Sequence, residues 1–211
     1  MAPPRSNPPP PPSHQPPPRR IVLTGGPGAG KTAVLEVLRR ELRGRVTVLP
    51  ESASIIFGGG FPRGETPSAR KAAQRAIFHV QDALERMALE DATSPLILCD
   101  RGVVDGAAYW PDGVDDFWED LCVRREDALA RYAMVIHLQT PDLAHGYNHQ
   151  NPLRTESDRE ARAIDQRILT AWEGHPRRVC IERTDDFFDK LRQAVALIHT
   201  QLEGHPPDAG Q

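Results

Sequence analysis

The residues Gly25-Gly26-Pro27-Gly28-Ala29-Gly30-Lys31-Thr32 satisfy the pattern G-x-x-x-x-G-K-[ST] at every position. Glycines at this spacing let successive backbone N–H groups turn inward at a helix N-terminus and form a nest for an anion. The lysine of such a loop, here Lys31, reaches the β- and γ-phosphates of a nucleotide, and the hydroxyl of Thr32 ligates Mg²⁺. The expected contact stretch is Gly25, Gly26, Pro27, Gly28, Ala29, Gly30, Lys31, Thr32 and Ala33. A second candidate is Asp100, which follows the apolar run Leu96-Ile97-Leu98-Cys99. A carboxylate at the carboxyl edge of a strand beside a phosphate loop holds Mg²⁺ directly or through water. Asp at a strand end is also a common turn or helix cap, and the phosphate loop tips the reading toward the metal.

These groups need a sheet to bring them to one edge. Short apolar runs alternate with helical patterns from Arg20 onward, which is the signature of a parallel sheet flanked by helices. Ile21-Val22-Leu23 reads as the first strand, followed by a helix with Val34, Leu35, Leu38 and Leu42 on one face. Val46-Thr47-Val48-Leu49 is the second strand, and residues 53–68, rich in Gly and Pro, read as a long mobile loop. The spacing predicts a helix over residues 69–92 with Ala73, Ile77, Val80, Leu84 and Met87 on its core stripe. The run at 96–99 is the third strand, a helix is expected around 115–131, and Met134-Val135-Ile136-His137-Leu138 is the fourth strand. After a polar loop at 140–156, Ser157-Asp158-Arg159-Glu160 forms a capping box for a helix facing inward with Ile164, Ile168 and Trp172. Val179-Cys180-Ile181 is the fifth strand, and Phe187, Leu191, Val195 and Ile198 mark a closing helix. Strict alternation of this kind is expected to give a doubly wound α/β fold.

The segment Asp100-Arg101-Gly102-Val103-Val104-Asp105-Gly106-Ala107-Ala108-Tyr109 resembles the DRG-x-x-D-x-x-x-Y segment of a group of small AAA-type ATP-binding proteins. That group is similar to the ribosylnicotinamide-kinase domain and to nucleoside and nucleotide kinases. The resemblance covers roughly residues 20–200 and includes the phosphate loop, Glu51 after the second strand and the arginine-bearing segment around 154–162. It implies a three-layer P-loop NTPase fold with a five-stranded parallel sheet flanked by helices. It also implies roles. Glu51 matches the position where deoxynucleoside kinases carry the carboxylate that accepts the proton of the substrate hydroxyl, chemistry that in-line phosphoryl transfer requires. A glutamate that merely ends a strand, or contacts a Mg²⁺-bound water, is the alternative. Arg101 would clamp phosphate oxygens as charge moves, with a salt bridge to a nearby carboxylate as the plainer reading. Arg154, Arg159 and Arg162 would belong to a lid that closes over the phosphates and excludes water. The family's Asp-x-x-Arg lid pattern is present only loosely, as Asn148-His149-Gln150-Asn151-Pro152-Leu153-Arg154. On the long helix, Arg70, Gln74, Gln81 and Glu85 share a flank that either reads a base or amide or faces solvent.

Composition narrows the classes further. The 211 residues carry 26 basic and 29 acidic side chains, a formal charge of −3, and the isoelectric point is near 6.2. A general nucleic-acid binder would show a basic excess. No apolar run approaches the ~20 residues that cross a bilayer, and no secretory h-region opens the chain. No nucleic-acid partner and no membrane association are therefore expected. Three widely spaced cysteines, Cys99, Cys122 and Cys180, read as buried free thiols in a reducing compartment, so the expected location is cytoplasmic. His145 and His149 are four apart, but no ligand set completes a zinc site around them. Ten of the 21 prolines fall in residues 1–18, which are expected to form a disordered tail. Residues 19–203 are expected to form one P-loop domain, and 204–211 a short disordered end.

The function these observations support is an ATP- and Mg²⁺-dependent phosphotransferase whose partners are ATP and a small-molecule acceptor such as a nucleoside or nucleotide. Its candidate catalytic residues are Lys31, Glu51, Asp100, Arg101, Arg154, Arg159 and Arg162. The alternative is a nucleotide-binding switch that phosphorylates no acceptor. A ring-forming ATPase is disfavoured, because one helix after the fifth strand leaves no room for a small helical domain. A guanine-specifying Asn-Lys-x-Asp is absent. Acceptor identity, the choice of ATP over GTP and oligomeric state have no code in these residues.

Overall fold

The computed structural model describes residues 16–140, 158–182 and 187–203. Five strands, β1 (Arg19–Thr24), β2 (Val46–Leu49), β3 (Leu96–Asp100), β4 (Met134–Leu138) and β5 (Arg178–Ile181), form one sheet in the order β2-β3-β1-β4-β5. Every pairing is parallel. The registers Leu23↔Asp100, Thr24↔His137 and Leu49↔Cys99 bring the carboxyl ends of β1, β2, β3 and β4 to one edge. The chain leaves β1 in one direction toward β3 and β2, and crosses to β4 and β5 on the other side. In open α/β sheets a ligand crevice forms at such a switch point, outside the strand carboxyl ends.

Both faces of the sheet are covered, so the central strands are apolar without alternation. Ile21, Leu23, Leu98 and Ile136 pack with Val34, Leu35 and Leu38 of α1 (Lys31–Glu41) and with Ala194 and Ile198 of α7 (Phe187–Glu203). On the opposite face Val22, Ile97, Cys99 and Val135 pack with Phe78 of α3 (Pro67–Asp91), Phe117 of α4 (Val114–Leu121), Leu129 of α5 (Arg125–Ala130), and Ile164 and Ile168 of α6 (Asp158–Ala171). Thr66 caps α3, its hydroxyl accepting from Ala69 N at 3.2 Å, and Pro67 takes the first helical turn, where a missing N–H costs nothing. Ile164, Ile168 and Trp172 face inward as the periodicity of α6 requires. Ser157 of the expected capping box lies outside the described residues, as does the expected polar loop from 141 onward.

Several expectations are corrected. Part of the expected loop at 53–68 is helical, with α2 spanning Ser52–Gly58. The expected helix around 115–131 is two helices, because Cys122 adopts a left-handed conformation (φ 53°) and breaks the chain direction. A 3₁₀ segment at Val103–Tyr109 was not expected at all. Strict strand–helix alternation is thereby lost, since α2 and α3 both lie between β2 and β3. On α3 the buried line is Ala73, Phe78, Gln81, Glu85 and Ala88, while Met87 is 50% exposed. Hydrophobicity alone set the expected stripe, and Gln81 and Glu85 are buried because their partners are buried with them. Of the cysteines, Cys99 is buried, whereas Cys122 and Cys180 are exposed. Cys180 lies on the edge strand β5, where a side chain among apolar neighbours in sequence still faces outward. No described helix is long and apolar enough to cross a membrane.

Candidate functional site

The phosphate loop leaves β1 at Thr24 and enters α1 at Lys31, with Gly25, Gly28 and Gly30 at φ 135°, 81° and 96°. A side chain on Gly25 would run into the Leu138 carbonyl of β4, so glycine is required both by conformation and by space. At the other end, a Cβ on Gly30 would stand 2.6 Å from the Phe187 ring, which places the start of α7 directly over the start of α1. Lys31 is buried and donates to the carbonyls of Gly25 (3.0 Å) and Gly26 (3.1 Å). Burial, with the Arg101 cation beside it, lowers its ammonium from an ordinary 10.5 to about 8. Thr32 and Ala33 stand exposed on the first turn of α1.

Asp100 ends β3 with only 8% of its surface exposed, and its Oδ1 is buried without a hydrogen-bond partner. Burial pushes its carboxyl up to about 6, against the opposing attraction of Lys31. Such a buried, orphaned carboxylate oxygen costs stability and is chemically suited to a hard divalent cation. Among the described residues no set of three or more His, Cys, Asp or Glu side chains forms a metal cage.

Arg101 continues past the strand with its N–H donating to Leu23 O at 3.0 Å and adopts φ 69°, a left-handed conformation unusual for a side-chain-bearing residue. The turn aims its guanidinium across the sheet edge. Nε donates to Glu51 Oε1 at 2.7 Å, and a terminal nitrogen donates to Asp105 Oδ1 at 3.2 Å. Burial works against its charge, but neighbouring Tyr109, Asp105 and Glu51 outweigh it and raise its pKa above the usual arginine range. Glu51 occupies the N-cap position of α2, and its other oxygen accepts from Ser54 Oγ at 2.5 Å. Burial would raise the Glu51 carboxyl, yet Arg101 and Ser54 prevail and hold it below its ordinary value.

The structure thus brings Lys31, Glu51, Asp100 and Arg101 into one electrostatically coupled group. Arg159 and Arg162 stand on the exposed side of the first turns of α6. Arg154, His145 and His149 lie outside the described residues. Arg75, His79 and Arg86 of α3 are exposed, Arg75 paired with Asp120, whereas the flank expected either to read a base or amide or to face solvent is partly closed. Gln81 accepts from Ser52 Oγ at 2.6 Å and donates to Glu85 at 3.0 Å. Glu85 also accepts from Arg20 (2.9 Å) and from Tyr132 OH (2.6 Å), and that same hydroxyl accepts from Val103 N at 2.8 Å. The pair supports the backs of both Ser52, next to Glu51, and Val103, next to the Arg101 turn.

Asp105, the second acidic residue of the DRG-x-x-D segment, is a hub. Besides Arg101 it accepts from Thr24 Oγ1, from Gly102 N at 3.0 Å and from Trp172 Nε1 at 3.1 Å. It joins the end of β1 to the Arg101 turn and to α6. Its position in the motif was the available signal. Asp165, whose carboxylate accepts from the Gly26 N–H of the loop, had no such signal, since it sits between Ile164 and Ile168 on a helix face that reads as core.

Known proteins place this geometry. The profile of a family described as an AAA domain matches residues 20–190. No curated protein matches the chain. A solved structure of deoxyadenosine kinase from M. mycoides, with dCMP and a flexible dCDP bound as products, superposes with a TM-score of 0.57 at 12% identity, covering 88% of this chain and 99% of that one. NadR protein in complex with NR superposes with a TM-score of 0.65 at 16% identity over 87% of this chain and 51% of that one. The chain spans about half the length of NadR. At these identities the superpositions establish the shared fold, and the profile establishes the family: the chain belongs to the AAA-domain family and is a P-loop NTPase of kinase-like fold.

Proposed function

We propose that residues 19–203 form an ATP- and Mg²⁺-dependent phosphotransferase that transfers the γ-phosphoryl group to a small metabolite of the nucleoside or nucleotide class. The observation that carries this reading is Glu51, held ionised by Arg101 at the sheet edge that also bears the phosphate loop. Both readings, switch and kinase, need the loop and the metal-side carboxylate, and a transfer enzyme needs in addition a base at the acceptor side of the phosphates. The kinase-like neighbours, one with dCMP and dCDP and one with NR bound, make a nucleoside-like acceptor the natural class.

In this mechanism the loop N–H groups and Lys31 bind the β- and γ-phosphates, Lys31 exchanging the Gly25 and Gly26 carbonyls for phosphate oxygens. Asp100 and Thr32 would hold Mg²⁺, which supplies charge neutralisation of the polyphosphate. Glu51 accepts the hydrogen bond and then the proton of the acceptor hydroxyl. Arg101 is within reach of both roles. As it turns from Glu51 toward the transferred group, it stabilises the charge there and leaves Glu51 more basic. Arg159, Arg162 and Arg154 would close over the phosphates and exclude water.

A second reading, a nucleotide-binding switch, draws on the same pair: with Arg101 already neutralising Glu51, the arrangement is also a stable resting state. Mass spectrometry of a small-metabolite extract incubated with ATP, Mg²⁺ and the protein, beside a Lys31→Ala sample, separates the two. A species that gains one phosphoryl group only with the intact lysine supports the kinase and names its acceptor. Bound ATP without any phosphorylated metabolite hands the lead to the switch.

A further inference from the structure

The phosphate loop is held from behind by a carboxylate that the transfer mechanism does not use. Asp165 is 4% exposed and lies on α6, 139 residues along the chain from Gly26. Its Oδ1 accepts from the Gly26 backbone N–H at 2.6 Å and approaches His137 Nε2 at 3.0 Å, while Oδ2 accepts from Thr140 N at 3.3 Å. Burial would raise this carboxyl, but His137 and the two N–H donors outweigh burial and keep it low, so the acceptor is anionic. An N–H to an ionised carboxylate at this length is a strong, charge-assisted bond.

Gly26 is pinned from its other side as well. Its carbonyl accepts from Ala29 N at 3.3 Å and from Lys31 Nζ at 3.1 Å. There is no spare room around it, because a Cβ on Gly26 would meet Thr140 Oγ1 and stand 2.9 Å from Asp165 Cβ and 3.0 Å from Ala161 O. The second residue of the loop is therefore a fixed pivot clamped between Thr140, which follows β4, and α6. Its N–H is committed to Asp165, which leaves the nest to be formed by the N–H groups that follow. Arg162 stands on the same helix one turn toward its N-terminus, and at 100° per residue it is about 60° round from Asp165. The face that grips the loop is thus flanked by one of the arginines assigned to the lid.

We infer that Asp165 is a positioning residue for the phosphate loop, holding the Gly26 N–H turned away from the anion nest and tying the loop to the helix that carries Arg159 and Arg162. This inference rests on the reading of the loop as a nucleotide phosphate site, and the test separates the two. In a ¹H–¹⁵N correlation spectrum of the full chain, the Gly26 amide should lie downfield and exchange slowly with solvent. On titration with Mg·ATP the amides of Gly28 to Thr32 should move, and that of Gly26 should keep its downfield position. Asp165→Asn should shift the Gly26 amide upfield and weaken Mg·ATP binding on the order of tenfold, the scale of one lost charge-assisted bond. His137→Gln serves as the comparison, since its amide N–H₂ replaces the ring as donor to Asp165 and leaves the carboxylate ionised with both backbone N–H bonds. It should lower the melting temperature and leave Mg·ATP affinity within about twofold.

A Gly26 amide that moves as far as those of Gly28 to Thr32 is itself a phosphate ligand, and the inference then fails. Unchanged Mg·ATP affinity in a folded Asp165→Asn protein also overturns it. If Asp165→Asn does not fold, the wild-type titration alone decides. A wild-type loop in which no amide responds to Mg·ATP defeats the phosphate-site reading and takes this inference with it.

Discussion

Asp100 is the residue at which stability and function should pull in opposite directions, and Asp100→Asn measures the conflict. The carboxyl is raised from its ordinary 3.8 to about 6, chiefly by burial. The folded state therefore binds a proton more tightly than the unfolded chain between those two values. Stability contributed by this group is present below about pH 4 and is lost as pH rises toward 6, the slope following the difference in bound protons. At about 1.4 kcal/mol per pH unit, the full rise corresponds to a penalty of about 3 kcal/mol above pH 6. Asparagine removes the charge and keeps the shape. The attraction of Lys31 is already contained in that figure, and the buried amide N–H₂ that asparagine introduces costs about 1 kcal/mol, so the expected net gain is about 2 kcal/mol. For a chain of this size that corresponds to a rise of roughly 4–8 °C in melting temperature. The assay is thermal denaturation of both proteins without nucleotide at pH 4.5 and pH 7, where Lys31 remains charged. Asp100→Asn should be the more stable at pH 7, and the difference should nearly vanish at pH 4.5. Added Mg·ATP at about a hundred times its dissociation constant should stabilise the wild type by about 2.7 kcal/mol and the variant much less. A variant that is less stable at pH 7, or a difference equal at both pH values, refutes the argument that this carboxylate is kept charged at a structural cost.

Glu51→Gln keeps an oxygen for Arg101 but cannot take a proton. Phosphoryl transfer should fall about 10²–10⁴-fold with Mg·ATP affinity nearly unchanged, and single-turnover transfer at wild-type speed would remove Glu51 from the base role. Glu85→Gln sets an amide N–H₂ against Arg20, Gln81 or Tyr132, all of which donate to this fully buried residue. It should destabilise the protein by about 3 kcal/mol in urea denaturation, and a loss below about 1 kcal/mol would show the network to be dispensable. A thiol-specific chromogenic reagent should titrate Cys122 and Cys180 in the native protein and Cys99 only after unfolding, because burial both covers the Cys99 thiol and raises its pKa well above the usual range. Three equivalents released at once from folded protein would contradict the packing of β3.

Features encoded in neighbouring residues were readable before folding was considered. The phosphate loop was legible because Gly25 to Thr32 specify a backbone path locally, and the five strands because short apolar runs between helical patterns need both faces covered. Even Asp100 was placed correctly at a strand end, since one apolar run defines it. What required the tertiary structure was every feature whose partner lies far along the chain. Arg101 meets Glu51 from 50 residues away, and Gly26 meets Asp165 from 139. Gln81 and Glu85 were set on an open flank because a sequence shows the cost of burying a polar group but not the partner that offsets it. The same blindness works in reverse for Cys180, whose apolar neighbours suggested burial, although an edge strand shows one side to water. Local conformational preference is a property of a few adjacent residues and can be read from them. Burial and ion pairing are properties of the packed whole, and only the folded chain assigns them.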